Sequence, residues 1–133
     1  MRINDVVKEV HENAVAKGWW ESERSLAEIV VLAHSELSEA IEAARDNLGD
    51  VVLRDKETGE ILSFHELDIA YTAGIANTSV ERYKPEGVAT ELADCVIRIM
   101  DYFGKQGWNL EEVLRLKMAY NKTRAHKHGG KAF

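Results

Sequence analysis

Apolar residues recur at helical spacing along most of this chain, and a single proline interrupts its 133 residues. A segment in which every third or fourth residue is apolar forms an amphipathic helix, because one face of the helix can then be buried. Glycines follow several of these segments, and glycine commonly ends a helix since it adopts left-handed backbone angles without strain. The pattern predicts an all-α fold, a bundle of four to five helices in a single domain over residues 1–133, with helices at about 4–17, 25–47, 85–103 and 109–123.

One stretch, between the 25–47 and 85–103 helices, departs from helical spacing. The apolar runs 51–53 and 61–62 flank a polar segment in which Gly59 can adopt a positive φ. This arrangement predicts a β-hairpin-like insertion at about 50–64. Residues 65–83 are ambiguous, and residues 71–75 fit either a short helix or a loop. Pro85 suits the first turn of the helix that follows.

The charges are distributed unevenly along the chain. Residues 1–112 hold all 23 acidic residues and 11 of the 17 basic ones, whereas residues 113–133 hold six basic residues and no acid. An acidic body attracts cations and disfavours nucleic acid as a partner. The basic end suits an anionic ligand, although a solvated tail is an equally good interpretation of charge alone.

Membrane and secretory classes are disfavoured. No run approaches the roughly 20 apolar residues of a membrane span, and the first 20 residues lack the continuous apolar block of a leader peptide. The single cysteine, Cys95, allows no internal disulfide and fits a reducing cytoplasm. Its position on an apolar helical face indicates a small core residue.

Acidic residues occupy positions of two predicted helices where apolar residues are expected. Glu36 lies on the apolar face of the 25–47 helix, and Glu39 lies on its flank one turn later. Glu91 and Asp94 border the apolar face of the 85–103 helix, and their i, i+3 spacing makes them point the same way. The apolar residues that define the two faces are Ile29, Ala33 and Ala40 on one helix and Val88, Leu92, Cys95, Val96, Ile99 and Phe103 on the other.

Two interpretations of these carboxylates are open. Clustered, partly buried carboxylates are costly unless a divalent cation neutralises them, and an all-oxygen site suits Mg²⁺, Mn²⁺ or Ca²⁺. Alternatively they are surface acids, with Arg98 pairing Asp94 at i+4 in an ordinary helical salt bridge.

Two further features bear on a ligand. Lys117, Asn121 and Arg124 continue the inward face of the last helix after its apolar residues end, which favours binding of an oligophosphate. The alternative is that the cations only interact favourably with the helix dipole. Trp19 and Trp20 are adjacent and cannot share one face, so one is expected to pack while the other is available to stack on a base; the alternative is that both cover the end of the bundle.

These residues together resemble a known family. The paired acidic motifs are similar to the E-x-x-E and E-x-x-D signature of the MazG-like, all-α nucleoside triphosphate pyrophosphatases. Residues 84–94 resemble the start of that family's second metal-binding helix, and residues 117–124 with 128–130 resemble its phosphate-side segment and glycine tail. The resemblance covers most of the chain outside residues 48–80. The long separation between the two acidic motifs departs from the family pattern and leaves the substrate base open.

The resemblance implies an enzyme that hydrolyses a (deoxy)nucleoside triphosphate to the monophosphate and pyrophosphate, in the manner of nucleotide-pool house-cleaning enzymes. It implies Mg²⁺, with Mn²⁺ as an alternative, and a homodimer or homotetramer with shared sites. Carried onto this chain, the metal ligands and catalytic residues are Glu36, Glu39, Glu91 and Asp94, and the substrate-binding residues are Lys117, Asn121, Arg124, Trp19 and Trp20.

A non-catalytic helical interaction protein is the competing hypothesis, in which the acids form surface patches. The apolar residues Val30 and Val31 add a prediction about assembly. They make the 25–47 helix apolar nearly all round, so they are expected in a subunit interface if a partner completes the bundle.

Overall fold

The computed structural model describes residues 2–63 and 82–133. The chain divides into two compact units: a central unit within residues 25–98, and a terminal unit formed by residues 2–24 and 99–133. The described residues are mostly helical and include a small antiparallel sheet. In chain order the elements are α1 (Ile3–Ala16), α2 (Leu26–Arg45), β1 (Val52–Asp55), β2 (Ile61–Ser63), β3 (Tyr83–Glu86), α3 (Val88–Gln106) and α4 (Leu110–Thr123). The four residues Lys127–Gly130 form a turn in which every φ is positive.

In the terminal unit, the start of α1 is hydrogen-bonded to the start of α4. The Asn109 side chain accepts the Glu112 N–H at 3.0 Å, as expected of an N-cap at this position. The Asn4 amide donates to the Asn109 side chain at 2.8 Å, and the Asn4 side-chain oxygen accepts the Glu111 N–H at 3.2 Å. Val7 of α1 and Leu110 of α4 are buried in this unit.

In the central unit, α2 begins with a complete capping box. The Ser25 hydroxyl accepts the Glu28 N–H, and the Glu28 carboxylate accepts the Ser25 N–H. Glu28 is therefore a capping residue as well as a solvated one. After α2 the chain turns through Asn47 and Gly49, both at positive φ.

The sheet has the strand order β2-β1-β3, and both pairings are antiparallel. The predicted hairpin at 50–64 is confirmed by the β1–β2 pair, in which Leu53 lies opposite Leu62. Leu53 is buried and packs against Leu62 and Tyr83 of the two outer strands. Its neighbour Asp55 is also buried and forms an ion pair with Arg82, with a nitrogen–oxygen distance of 2.6 Å.

The prediction for Pro85 was wrong. Pro85 lies in β3, opposite Leu53 of β1, and the helix starts three residues later at Val88. Because β3 is an outer strand of the described sheet, the missing N–H of proline can be tolerated there. Gly87 makes the transition from strand to helix with φ of +115°.

The apolar face predicted for the 85–103 helix is only partly buried. Cys95 is buried, but Leu92, Val96 and Ile99 are 45%, 47% and 42% exposed. Helical spacing shows which residues share a face of α3 but carries no information about what covers that face. No helix within the described residues has both the length and the apolar character needed to cross a bilayer. The predicted short helix or loop at 71–75 lies outside the described residues.

Candidate metal centre

The α2 contribution to the centre is a buried glutamate and an exposed one. Glu36 occupies the core-facing side of α2 with Ile29, Ala33 and Ala40, and only 7% of the residue is exposed. Glu39, one helical turn later, is exposed, yet its carboxylate interacts electrostatically with those of Glu36 and Glu91. The i, i+3 spacing therefore aims both side chains toward α3, as the sequence predicts.

The α3 contribution is the half-buried pair Glu91 and Asp94 in the first two turns of the helix. Carboxylate oxygens of Glu36, Glu91 and Asp94 all lie within 4.8 Å of one another. Glu36 precedes Glu91 and Asp94 by 55 and 58 positions, so distant parts of the chain bring three ligand atoms together, and the carboxylate of Glu39 interacts with two of them. All four predicted carboxylates are consequently brought together.

The close approach of these carboxylates and their desolvation raise the pKa values of Glu39, Glu91 and Asp94. Hydrogen bonding with Glu36, helped by desolvation and by the charges of Glu36 and Glu91, raises the pKa of Glu39. Desolvation, followed by the charges of Asp94 and Glu36, raises the pKa of Glu91. Desolvation and then the charge of Glu36 raise the pKa of Asp94, against the opposing effect of Arg98 and Lys84. The basic side chains of the protein therefore neutralise the negative charge of these carboxylates only in part.

Arg98 pairs with Glu36, and not with Asp94 as the sequence alternative proposed. Its Nε donates to Glu36 Oε1 at 2.6 Å, and the predicted alternative of an Arg98–Asp94 salt bridge does not form within the described residues. A pair across two helices has no signature in local spacing, because the two residues are 62 positions apart. Position i+4 from Asp94 placed Arg98 near the cluster but not on Glu36.

The donor chemistry of the cluster fits a hard divalent cation. Its ligand atoms are carboxylate oxygens, and the described residues place neither a histidine nor the thiol of Cys95 in the group. Oxygen-only sites favour Mg²⁺, Mn²⁺ or Ca²⁺ over zinc. Glu36, Glu91 and Asp94 would hold the ion, with Glu39 able to contribute a fourth carboxylate.

The predicted phosphate-binding residues belong to the terminal unit. Lys117 and Asn121 are exposed on α4, and Arg124 follows its last residue. Lys117 and Arg124 both approach the Tyr120 ring, at 5.2 and 5.9 Å from its centroid. The described part of the chain thus shows both cations beside one aromatic ring at the end of α4.

The two adjacent tryptophans separate as the sequence predicts. Trp20 is the packed one: its Nε1–H donates to both oxygens of the buried Asp101, at 2.9 and 3.1 Å. The His11 ring also binds Asp101, at 2.7 Å, and meets the Trp20 ring edge-on. Trp19 is 59% exposed, with the Arg24 guanidinium 5.4 Å from its ring centroid.

Asp101 and His11 were missed by reasoning from the sequence. The signal for Asp101 was its position seven residues after Asp94, which places it on the same side of α3 two turns later. This spacing was therefore sufficient to predict a second inward-facing acidic residue on this face of α3. Its partner His11 had no comparable local signal, because the two residues lie 90 positions apart.

Comparison of the chain with protein-family models, with characterised proteins and with solved structures yields no match. The class of site is accordingly defined by the geometry alone: an acidic, oxygen-only cluster contributed by two helices.

Proposed function

We propose that the protein is a divalent-cation-dependent hydrolase of nucleoside triphosphates, releasing pyrophosphate and a nucleoside monophosphate. One observation carries the proposal: Glu36 from α2 and Glu91 and Asp94 from α3 converge within 4.8 Å, where their charges are poorly compensated by the protein. Proteins bind Mg²⁺ with a few carboxylates and complete its coordination with water and substrate phosphates. The MazG-like resemblance of the acidic motifs supports the same reaction.

The carboxylates would bind the cation and activate water, and the basic residues would bind the phosphate chain. The bound cation would neutralise phosphate charge and acidify a water molecule. Of the four carboxylates, one that does not hold the cation would orient the attacking water or accept its proton. Glu39 suits that part best, because it is the exposed member and lies outside the group of three ligand oxygens within 4.8 Å of one another.

The remaining assignments concern the substrate. Lys117, Asn121 and Arg124 would hold the phosphate chain, since lysine offers a point charge and arginine a planar fork for phosphate oxygens. Trp19 is the candidate for stacking on the base, because it is exposed whereas Trp20 is engaged by Asp101.

Assembly of several copies is part of the proposal. Val30 and Val31 of α2 are 43% and 65% exposed, and several apolar residues of α3 are similarly uncovered. Extended exposed apolar surfaces typically mark interfaces. We propose that a homodimer or homotetramer covers them and completes the helical bundle.

A second function has one observation in its favour. The Arg98–Glu36 pair shows that the protein supplies one counter-charge of its own to the cluster. A helical interaction protein with an acidic patch would need no more than that. In that case Mg²⁺ would leave the protein's stability unchanged.

A panel of ordinary and modified (deoxy)nucleoside triphosphates, incubated with Mg²⁺ and scored for pyrophosphate and monophosphate, tests the proposal. Pyrophosphate release from at least one member is expected, and chelation of the metal should stop it. Release of orthophosphate alone, or turnover of no triphosphate, would contradict the proposed reaction.

A further inference from the structure

Arg98 engages the candidate metal centre with only part of its hydrogen-bonding capacity. Nε makes a single short bond to Glu36 Oε1, at 2.6 Å. Within residues 2–63 and 82–133, the two terminal nitrogens of the guanidinium have no hydrogen-bond partner. One third of the side chain is exposed, whereas the Glu36 side chain is 9% exposed. Within the described residues, the edge formed by the two terminal nitrogens is therefore available to a carboxylate or phosphate.

The pair with Glu36 is short but replaceable. A buried carboxylate without a counter-charge is strongly unfavourable, so Arg98 stabilises the cluster when no cation is bound. A divalent cation at the same carboxylates would supply two charges in place of one. It would also repel the guanidinium, because charges of equal sign at close range in a partly buried site repel strongly.

We propose that Arg98 is an exchangeable counter-ion: Glu36 holds it in the metal-free protein, and cation binding releases it to bind the substrate's phosphate chain. The inference rests on the proposed metal site and deepens it by coupling metal binding to phosphate binding. A cation that binds to the metal-free protein must therefore displace Arg98 from Glu36. In the loaded protein the free terminal N–H groups of Arg98 meet phosphate oxygens.

The first test measures Mg²⁺ binding to the complete chain by titration calorimetry, without phosphate. Arg98→Gln removes the charge but keeps a side chain able to hydrogen-bond, so it should fold. It is expected to bind Mg²⁺ at least about tenfold more tightly than the original chain, since a competing positive charge is gone. Arg98→Lys keeps the charge and should bind Mg²⁺ with nearly the original affinity.

Arg45→Ala is the matched control for net charge. Arg45 is an exposed cation in the last turn of α2, in the same unit, and has no ion pair within the described residues. It should leave Mg²⁺ affinity within about twofold of the original. Weaker or equal Mg²⁺ binding by Arg98→Gln would overturn the competition, and so would an equal gain in Arg45→Ala.

The second test measures binding of inorganic tripolyphosphate to the Mg²⁺-saturated chain. Arg98→Gln should bind tripolyphosphate about tenfold more weakly, because charge-assisted hydrogen bonds to phosphate are lost. Arg45→Ala should bind it as the original chain does. Undiminished tripolyphosphate binding by Arg98→Gln would overturn the release of Arg98 to phosphate.

The two proposals fail in different ways. If the original chain binds no Mg²⁺, the metal site itself is wrong and the inference falls with it. If the original chain binds Mg²⁺ and tripolyphosphate but the Arg98 variant matches it in both assays, only the exchange is wrong.

Discussion

Glu91 occupies the position where the energetics of the cluster can be measured most directly. It is half-buried in the first turn of α3, and desolvation, followed by the charges of Asp94 and Glu36, raises its pKa. An ionised Glu91 therefore destabilises the metal-free protein, whereas in the proposed metal site it would bind the cation. Neutralising this side chain should have opposite effects in the two states.

Glu91→Gln is expected to raise the stability of the metal-free protein at pH 7, by less than about 1 kcal/mol. The same change should abolish most of the stabilisation produced by Mg²⁺, because stabilisation by a ligand requires binding to the folded state. Urea unfolding with and without Mg²⁺ measures both effects. Glu42→Gln, an exposed glutamate of the same unit, is the control and should change neither. Retention of the full Mg²⁺ effect by Glu91→Gln would remove this residue from the centre.

The pH dependence of that difference follows from the raised pKa of Glu91. A group whose pKa is higher in the folded state binds more protons there, so its contribution to stability is largest in acid and is lost as pH rises. The advantage of Glu91→Gln should therefore grow from about pH 4 upward, beginning near the ordinary glutamate pKa. Asp55 has the opposite sign: hydrogen bonding from Arg82 lowers its pKa, so its contribution is lost as pH falls. Comparing variant and original at each pH removes this background, and an advantage that shrinks toward neutral pH would contradict the assignment.

At the scale of elements, the connection between the sheet and α3 depends on Gly87. The N–H groups of Val88 and Ala89 at the start of α3 donate to the carbonyl oxygens of Gly49 and Asp50, at 3.0 and 2.8 Å. A Cβ on Gly87 would lie 2.6 Å from the Asp50 oxygen and 2.8 Å from the Gly49 oxygen. Backbone atoms cannot move aside as the end of a side chain can. This close approach helps to place Glu91 four residues later.

Gly87→Ala is accordingly expected to cost more than about 3 kcal/mol of unfolding free energy, because a positive φ and a backbone clash combine. Gly59→Ala is the matched control: φ is also positive, but nothing lies within 4 Å of the added Cβ. It should cost about 1 kcal/mol from backbone strain alone. Denaturant unfolding monitored by circular dichroism compares them. Equal costs for the two variants would show that the approach to Gly49 and Asp50 does not limit the fold.

The elements differ in how well their sequences predict them. Helical spacing with terminal glycine or a capping residue located α1, α2 and α4 to within a few residues, because these signals are local. The β1–β2 hairpin was also predicted from local sequence signals. β3 was not, because four residues containing Pro85 resemble a helix start until the partner strand is known. Pairing between distant segments overrides local preference there.

The same distinction applies to the candidate site. The spacing of Glu36 with Glu39 and of Glu91 with Asp94 predicted which acids would meet, because it expresses the face of each helix. The partner of Arg98 could not be predicted, since contact between helices decides it. Whether Lys117, Asn121 and Arg124 bind phosphate stays a prediction.

For the molecule as a whole, the amount of apolar surface left uncovered is the main observation. The described helices expose Val31 at 65% and Leu116 at 75%, and no large side chain within residues 2–63 and 82–133 is completely buried. A small domain that buries little of its apolar surface gains little stability from folding alone. Association with further copies would supply the missing burial.

On the proposed assembly through α2, Val31→Glu should give monomers, because the added charge would have no partner in an apolar contact. Light scattering on the purified chain measures the change in mass. Ala44→Glu is the control: it adds the same charge to an exposed position on a different side of α2 and should preserve the assembly. A monomeric original chain with full hydrolytic activity would contradict the role given to Val31.

The hydrogen bonds from Val88 and Ala89 to Gly49 and Asp50 have a consequence for how such a protein can be altered. They bring the two ends of the segment 51–86 together, so that segment departs from and returns to one place. Insertions whose ends adjoin can be exchanged or shortened with little effect on the host chain. A chain in which a short flexible linker replaces residues 51–86 should therefore keep the carboxylates of α2 and α3 together, and with them the proposed Mg²⁺ binding. Evolution or design could in this way vary the inserted segment while these carboxylates keep their positions.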